Sequence, residues 1–485
     1  MGWLKNMIKN WLNIQPAMQS GITILEPMSV ETNAMKNQIW YRGDASELDQ
    51  LYKQLNSDYV GRSRFWAAAP ENENIRKMHS GLPSVMVDTL AYIVKADMSD
   101  VMFEKEAGKA DWEEICKELD FVELIGDAVV GTLVTGDGAF KISADTELSP
   151  YPMVEFFPAD RVDYITKRGR IVGVNFYTNY AVGRKTYRLQ ECYTESKIAY
   201  TLFDGDKEVP LSCVPELREY ETAEFNGKYM LAIPFRIYKS AKYADRGKSI
   251  FESKTDEFDA HDEVISQWMD ALRAGRVQKY IPEDLIPRDE KTGGLLSVNS
   301  FGTNFVKIDS AKGENADPKI DTIQPEIRYE AFLSTYCSTL DRCLQGIMSP
   351  ATLGIDLGKM SSADAQREKK DITGHTRNAI TSALEKSIPK LVAAILMTYD
   401  NMRGNEVGAY EPSISFGEYG APDFDSRVET VNKAATANTM SIETQVDELW
   451  GDSKDEKWKA EEVLRIKRDK GIAVVEEPEL GDDLP

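Results

Sequence analysis

The sequence predicts an α+β protein, and three features of its 485 residues carry that prediction. Apolar residues recur at helical spacing over three long stretches of the second half. The interval from Gly136 to about Ile237 reads instead as short β-rich runs separated by Gly, Pro and Asp turns. Two of the long helical stretches flank a small insert with strand-like runs, so helices and strands are segregated along the chain rather than alternating.

In chain order, MGWLKNMIKNWLNI places Trp3, Leu4, Met7, Ile8, Trp11 and Leu12 on one face and Lys5 and Lys9 opposite, which predicts a short amphipathic helix. Residues 16–36 read as a linker. Helices follow at 44–56, 82–96 and 111–134, the last with an acidic start that suits helix polarity. AFKIS, MVEFF, RIVGVNFYT, KTYRLQECYT and IAYTLFD then read as strands.

The first long helix is predicted from Ser249 to Ala274, with Ser249 as N-cap and Glu252 at the capping-box position. At ~1.5 Å per residue it would be roughly 39 Å long. RVQKYIP and NFVKID read as two strands of the insert. A second helix runs from about Pro325 to Ile347, with Phe332, Tyr336, Leu340, Cys343 and Ile347 on one line. GIMSPATLGIDLGKM is broken by three glycines and Pro350. A third helix runs from Ser361 or Ser362 to about Met402 along Ile372, Thr376, Ile380, Leu384, Ile388, Leu391 and Ile395, and Pro389 predicts a kink because it removes an interior hydrogen bond. ISFGEY reads as a strand returning to the β region. Helices such as SRVETVNKAATAN and DEKWKAEEVLRIKRDK precede an acidic tail, EEPELGDDLP.

Composition excludes several functions. Hydrophobic residues make up 42% and charged residues 28%, and the longest apolar run, Ile388 to Met397, is too short to span a bilayer. No secretory signal is evident, and five cysteines without CxxC spacing read as small buried hydrophobes in a reducing, cytosolic setting. A net charge of −22 argues against tight nucleic-acid binding, since phosphate neutralisation by Lys and Arg supplies that affinity.

No constellation for catalysis stands out. Gly247, Lys248 and Ser249 end a phosphate-loop-like string, but Lys242 occupies the place of its first glycine and Tyr243, Ala244 and Asp245 bring bulk and charge where phosphates need bare backbone. His79, His261 and His375 have no partner at metal-ligand spacing and read as packing or interface residues. Asp256, Asp259 and Asp262 read as a solvated helix face. Asp204, Asp206 and Glu208 lack the glycine and terminal Glu of a calcium loop. The expectation is a protein that is not an enzyme, with no cofactor and no metal.

Several segments in order resemble the portal proteins of tailed bacteriophages, the long-tailed siphovirus-like type in particular. NQIWYRGDASELDQLYKQL is similar to the family's N-terminal Trp-Tyr-x-Gly-Asp stretch, and LPSVMVDTLAYIVKADM to the helix after it. GKSIFESKTDEFDAHDEVISQW resembles the entry to the first stem helix, and GIMSPATLGIDLGKMSSADAQREKKDIT the join of second stem helix, tunnel loop and following long helix. MSIETQVDELWGDSKDEKWKAEEVLRIKRDK resembles the C-terminal part, although the short acidic tail departs from many relatives.

The resemblance implies a portal fold. An N-terminal helix and linker (1–36) lead to a mixed α/β wing (37–248), a first stem helix (249–274), a small α/β clip (275–324) and a second stem helix (325–345). A tunnel loop (346–361), a long kinked helix with a wing return strand (362–423), a helical crown (424–475) and the tail (476–485) follow. It makes Gly247, Lys248 and Ser249 the hinge between wing and stem. It also implies a ring of about twelve subunits at one capsid vertex of the virion, assembled in the host cytoplasm. Double-stranded DNA would pass through the channel, with terminase large subunit at the clip, then head-tail connector or adaptor proteins, and major capsid and scaffold proteins around it. The loop residues expected in the channel are Ile355, Asp356, Leu357, Gly358, Lys359 and Met360, with Lys359 as the cation facing phosphate. The rival expectations are a scaffold or peripheral membrane protein using the N-terminal helix, without an integral membrane segment, and a terminase-like nucleotidase.

Overall fold

The structure is a computed structural model, and it describes residues 28–54, 64–68, 75–104, 108–275, 278–282, 304–308, 321–323, 327–355, 363–417, 424–437, 439–451 and 454–471. The predicted helix at 1–14, Pro325, residues 356–362 and the acidic tail lie outside the described residues. Contacts divide the chain into a large unit, Met1–Gly417, and a small one, Glu418–Pro485.

The large unit begins with α1 (Val30–Arg42), where the sequence reading placed a linker up to residue 36. Ser29 caps it by accepting from the Thr32 amide at 3.1 Å, and Gly43 ends it in the left-handed region at φ 70°. Then come α2 (Ala45–Gln54) and α3 (Leu82–Ala96), the latter burying Leu82, Met86, Val87, Leu90, Ala91 and Val94. The single helix expected at 111–134 is two, α4 (Lys109–Glu118) and α5 (Phe121–Thr135), because Asp120 takes φ 46° and turns the chain between them. α5 buries residues around most of its circumference and is a central helix of the large unit.

Around it lie β1 (Met102–Phe103), β2 (Asp137–Ser143), β3 (Met153–Pro158), β4 (Val162–Lys167), β5 (Arg170–Val182), β6 (Lys185–Thr194), β7 (Lys197–Asp204), β8 (Lys207–Val209), β9 (Ala223–Glu224) and β10 (Ala232–Arg236). The five sequence-predicted strands fall within β2, β3, β5, β6 and β7. β10, β2 and β3 form an antiparallel sheet. β4 to β8 form an antiparallel meander, and β9 pairs with β7. The meander carries its own small core of Leu189, Leu202, Val214 and Leu217, separate from the main core.

Two long helices follow, α6 (Thr255–Ala274) and α7 (Tyr329–Leu344), with the strands β11 (Gln278–Pro282), β12 (Asn304–Ile308) and β13 (Asp321–Ile323) between them. β11 is the middle strand, parallel to β12 and antiparallel to β13, the strand that the sequence reading missed. α6 starts six residues later than predicted, because Ser249 does not cap it: its hydroxyl donates to Leu133 and Val134 carbonyls and its side chain accepts from the Phe251 amide. Twenty residues give α6 a length of ~30 Å, and sixteen give α7 ~24 Å.

α8 (Ala363–Arg403) runs for 41 residues with Pro389 inside it, and its line Ile380, Leu384, Ile388, Leu391 and Ile395 is fully buried. The predicted return strand is displaced and short. β14 (Pro412–Ser413) pairs with β1, and Phe416 bridges to Met98, so this segment closes beside the end of α3 and not on the large β region. Arg377 of α8 fastens that corner, ion-paired to Asp97 at 2.9 Å and donating to the Gly417 carbonyl.

The small unit is a set of three helices, α9 (Phe424–Thr436), α10 (Ile442–Trp450) and α11 (Glu456–Asp469). Ser441 and Asp455 cap the last two, and Trp450 meets Trp458 edge-on at 5.7 Å. The cysteine expectation holds only for Cys343, which is buried; Cys116, Cys192, Cys213 and Cys337 are half-exposed.

Candidate functional site: the long helix pair and its two anchors

α6 and α7 pack antiparallel, and four contacts give the register. Lys254 donates to the Arg342 carbonyl at 2.7 Å. The His261 ring nitrogen lies 2.9 Å from the Thr339 hydroxyl, and the ring sits 4.9 Å from that of Tyr336. Trp268 stacks on Phe332, 6.0 Å apart and 8° from parallel. At the far end, Gly275 comes so close to Ile327 that a β-carbon would collide with its side chain. Burial holds the His261 imidazole below its ordinary pKa, which favours the neutral ring, and pushes the Cys343 thiol up to about 12.

Cover is uneven along this pair. At the end away from the insert, Phe251, Phe258, Leu340, Cys343 and Leu344 are buried in the main core. Toward the insert, Met269, Leu272, Tyr329 and Leu333 are exposed, at 38, 45, 61 and 48%. A helix pair cannot bury two apolar faces by itself, so its distal half keeps apolar surface in water.

The first anchor is made of acids that the sequence reading assigned to a solvated face. Asp256 is indeed exposed, paired with Arg64 at 2.6 Å, but Asp259 and Asp262 are buried. Asp259 accepts from the backbone amides of Phe65 and Trp66 at 2.8 and 3.1 Å. Asp262 accepts from the Ser80 amide at 2.9 Å and the Trp66 indole at 3.1 Å, and lies 2.7 Å from His79 Nδ1. Ser266 accepts from the Met78 amide at 2.9 Å. Positions 259, 262 and 266 share one helix face, so one side of α6 presents acceptors to a loop segment that has no strand or helix to satisfy its amides. Burial raises the Asp259 carboxyl pKa, opposed by the two amides and Arg64.

His79 with Asp262 has the form of two members of a catalytic triad, but its geometry closes off the third. Among the described residues Nε2 is buried without a partner, and the ring lies against Gly43, where a β-carbon would strike it.

The second anchor is the Gly247, Lys248 and Ser249 junction. Arg246 is buried and grips Asp137 with two nitrogens, at 2.8 and 2.9 Å, while donating to the Ala159 and Val162 carbonyls. Gly247 donates its amide to Asp137 Oδ2 at 2.5 Å, Lys248 to the Tyr238 carbonyl and Ile250 to the Leu133 carbonyl. The amides of Gly247, Lys248 and Ile250 are thus spent inside the protein and are not available to wrap a phosphate. Only glycine fits at 247, since a β-carbon would run into the Gly136 backbone. Lys248 faces solvent at a cleft of about 440 Å³, bordered also by Lys254, Gln345 and Thr376.

Of the six loop residues expected in the channel, Ile355 alone is described. Gly346 turns the chain at φ 78°, the Ser349 amide donates to Thr373 and Thr376 donates to the Ile347 carbonyl, both from α8. Ile355 is half-buried on the main core, and Asp356, Leu357, Gly358, Lys359 and Met360 lie outside the described residues. Pro389 sits in an α8 that continues on both sides of it. Among the described residues no His, Cys, Asp and Glu cluster is arranged to hold a metal, and no helix is long and apolar enough to cross a membrane.

No protein-family model and no curated protein matches the chain. Among solved structures it is similar to a chain of the neck of an empty GTA particle with C6 symmetry, at 12% identity and a TM-score of 0.36, over 76% of this chain and 89% of that one. It is also similar to a chain of the neck of a native GTA particle with C12 symmetry, at 12% identity and a TM-score of 0.34, over 79% and 89%.

Proposed function

We propose that this chain is the subunit of a portal ring, about twelve copies at one capsid vertex that enclose a channel for DNA packaging and ejection. The observation that carries the reading is the stem: an antiparallel helix pair anchored at one end by buried acids and a buried Arg–Asp pair, interrupted by an insert, and apolar on its exposed distal half. A repeated head-to-tail contact covers such surface in every copy at once and closes if the rotation is right. The order of the portal-like segments in the sequence supports the same assembly.

In this reading the insert is the clip that meets the terminase large subunit and later the head-tail connector proteins. Major capsid and scaffold proteins surround the wing, in a virion assembled in the host cytoplasm. ATP is hydrolysed by the terminase. The chain itself is not an enzyme, and the internally spent N–H groups after Arg246 support that. The −22 charge of each copy keeps phosphates from binding tightly, which lets DNA slide. Lys359 is the loop cation that touches passing phosphates, and a Lys359→Glu variant that packages and retains DNA normally would remove that role.

The test is the native mass of the purified chain against 54.6 kDa, with electron micrographs. Closed rings near twelve copies with a central hole are expected. A stable dimer of fixed geometry would overturn the reading.

A further inference from the structure

The cleft of about 440 Å³ beside Lys248 opens where three elements meet: the junction that leads into α6, the turn after α7 and the side of α8. Its size falls within the ~300–1,000 Å³ of clefts that take small molecules. Lys248, Ser253 and Lys254 line it from the junction, Gln345 and Ile347 from the end of α7, and the half-buried Tyr238 from the segment after β10. The chain holds 80 acidic against 58 basic residues, yet this lining has two lysines and no carboxylate. Its donors are also unspent. Among the described residues no hydrogen bond within the chain engages the side chains of Lys248, Ser253 or Gln345. Lys254 gives one of its three N–H groups to the Arg342 carbonyl at 2.7 Å and keeps two. The Lys248 amide donates to the Tyr238 carbonyl at 2.9 Å, which fixes the backbones of these two residues side by side.

We propose that this cleft binds a phosphate monoester carried on a flat organic body, the class to which nucleoside monophosphates belong. Charge selects the head of the ligand. With a second pKa of about 6, a monoester is close to a dianion at pH 7 and matches two ammonium groups, whereas a phosphodiester or a carboxylate brings a single charge. Its free oxygens accept from Lys248, Lys254, Ser253 and Gln345, the first two as charge-assisted bonds. Volume selects the rest, because the space beyond a phosphate takes the organic body against Tyr238 and Ile347. Recognition is by side chains, since the amides of Gly247, Lys248 and Ile250 are engaged inside the protein. Duplex DNA, whose major groove alone is ~12 Å wide, is too large for a cleft of this volume.

The site lies within one chain and needs no ring, so it is tested on the purified full chain in whatever state of assembly it adopts. Calorimetric titrations at pH 7 compare three ligands: adenosine 5′-monophosphate, its 3′,5′-cyclic form, which has the same body on a singly charged diester, and inorganic phosphate, which has no body. The 5′-monophosphate should bind saturably and about tenfold or more tighter than either of the others. Its affinity should fall between pH 7 and pH 5, as the monoester takes up a proton. Lys248→Ala should lose about tenfold or more in affinity for the 5′-monophosphate and keep the wild-type thermal midpoint, because its side chain is exposed. Ser253→Ala, at a second exposed position, should lose a smaller factor. Equal affinity for the 5′-monophosphate and either comparison ligand would mean an adventitious contact only and would overturn the site. So would an unchanged affinity in Lys248→Ala, or the absence of saturable binding by the wild type.

Discussion

Asp262 and His79 meet at 2.7 Å in the protein interior, with the Asp262 side chain fully buried and His79 nearly so. The same carboxylate holds the Ser80 amide and the Trp66 indole. One residue of α6 therefore organises the segment that carries Trp66 and Ser80, and the orientation of α6 and the order of that segment stand or fall together.

Removing Asp262 should show this coupling. Asp262→Ala leaves three buried donors without an acceptor, and the loss should reach ~3 kcal/mol or more, read as a lower urea midpoint. Asp262→Asn keeps one acceptor oxygen but turns an amino group toward those donors, so it should fall between wild type and alanine. A midpoint for Asp262→Ala within ~0.5 kcal/mol of wild type would mean that the carboxylate is not the organiser.

The junction before α6 makes a second demand, on shape as well as charge. Arg246→Lys keeps the charge but loses the two-pronged grip on Asp137 and the carbonyl contacts made by the same guanidinium, so it should cost about 1.5–3 kcal/mol. Gly247→Ala should be at least as damaging, since its β-carbon has no room against Gly136. If both variants unfold at the wild-type urea concentration, the junction is not clamped in the way the distances imply.

Much of this architecture could be read from residue patterns, and the misses share a cause. The β2, β3 and β5–β7 strands were legible because half-buried strands alternate in composition, and α8 because its line of Ile and Leu never breaks. α1 was hidden because Asn33, Lys36 and Asn37 occupy the positions where a core stripe should be apolar. Asp259 and Asp262 looked solvated for the same reason: their partners are amides some 180 residues away, which no local pattern encodes. Ser249 had the spacing of a helix cap, but tertiary hydrogen bonds to Leu133 and Val134 took its hydroxyl.

Lys36 makes a prediction about pH whose sign is fixed by burial. Its folded pKa is lowered from 10.5 to about 8, so the unfolded chain holds this proton more tightly and stability rises with pH. The penalty is fully present below about pH 8, fades as pH climbs toward 10.5 and is absent above. A shift of that size corresponds to about 3 kcal/mol. Lys36→Met should be more stable than wild type at pH 7, and the gap should narrow between pH 8 and 10.5. Parallel pH–stability curves for the two proteins would show that Lys36 is not buried as a charge.

The insert-side half of the α6–α7 pair offers the most direct test of the proposed assembly, because its apolar side chains do little within one chain. Leu272 and Leu333 lie on α6 and α7 and are 45 and 48% exposed, so a change there leaves the core near Phe258 and Leu340 intact. Leu272→Glu and Leu333→Glu should alter the stability of the single chain by only ~0.5 kcal/mol, the usual range for surface positions. In the proposed ring the same positions would meet a neighbour, and a carboxylate there would face desolvation at every interface. Since the contact repeats around the ring, a modest cost per interface multiplies, and native mass measurements should show single chains where the wild type forms rings. If the glutamate variants assemble as well as the wild type, the exposed stem is not the contact between copies, and the helix pair loses its place as the argument for a channel.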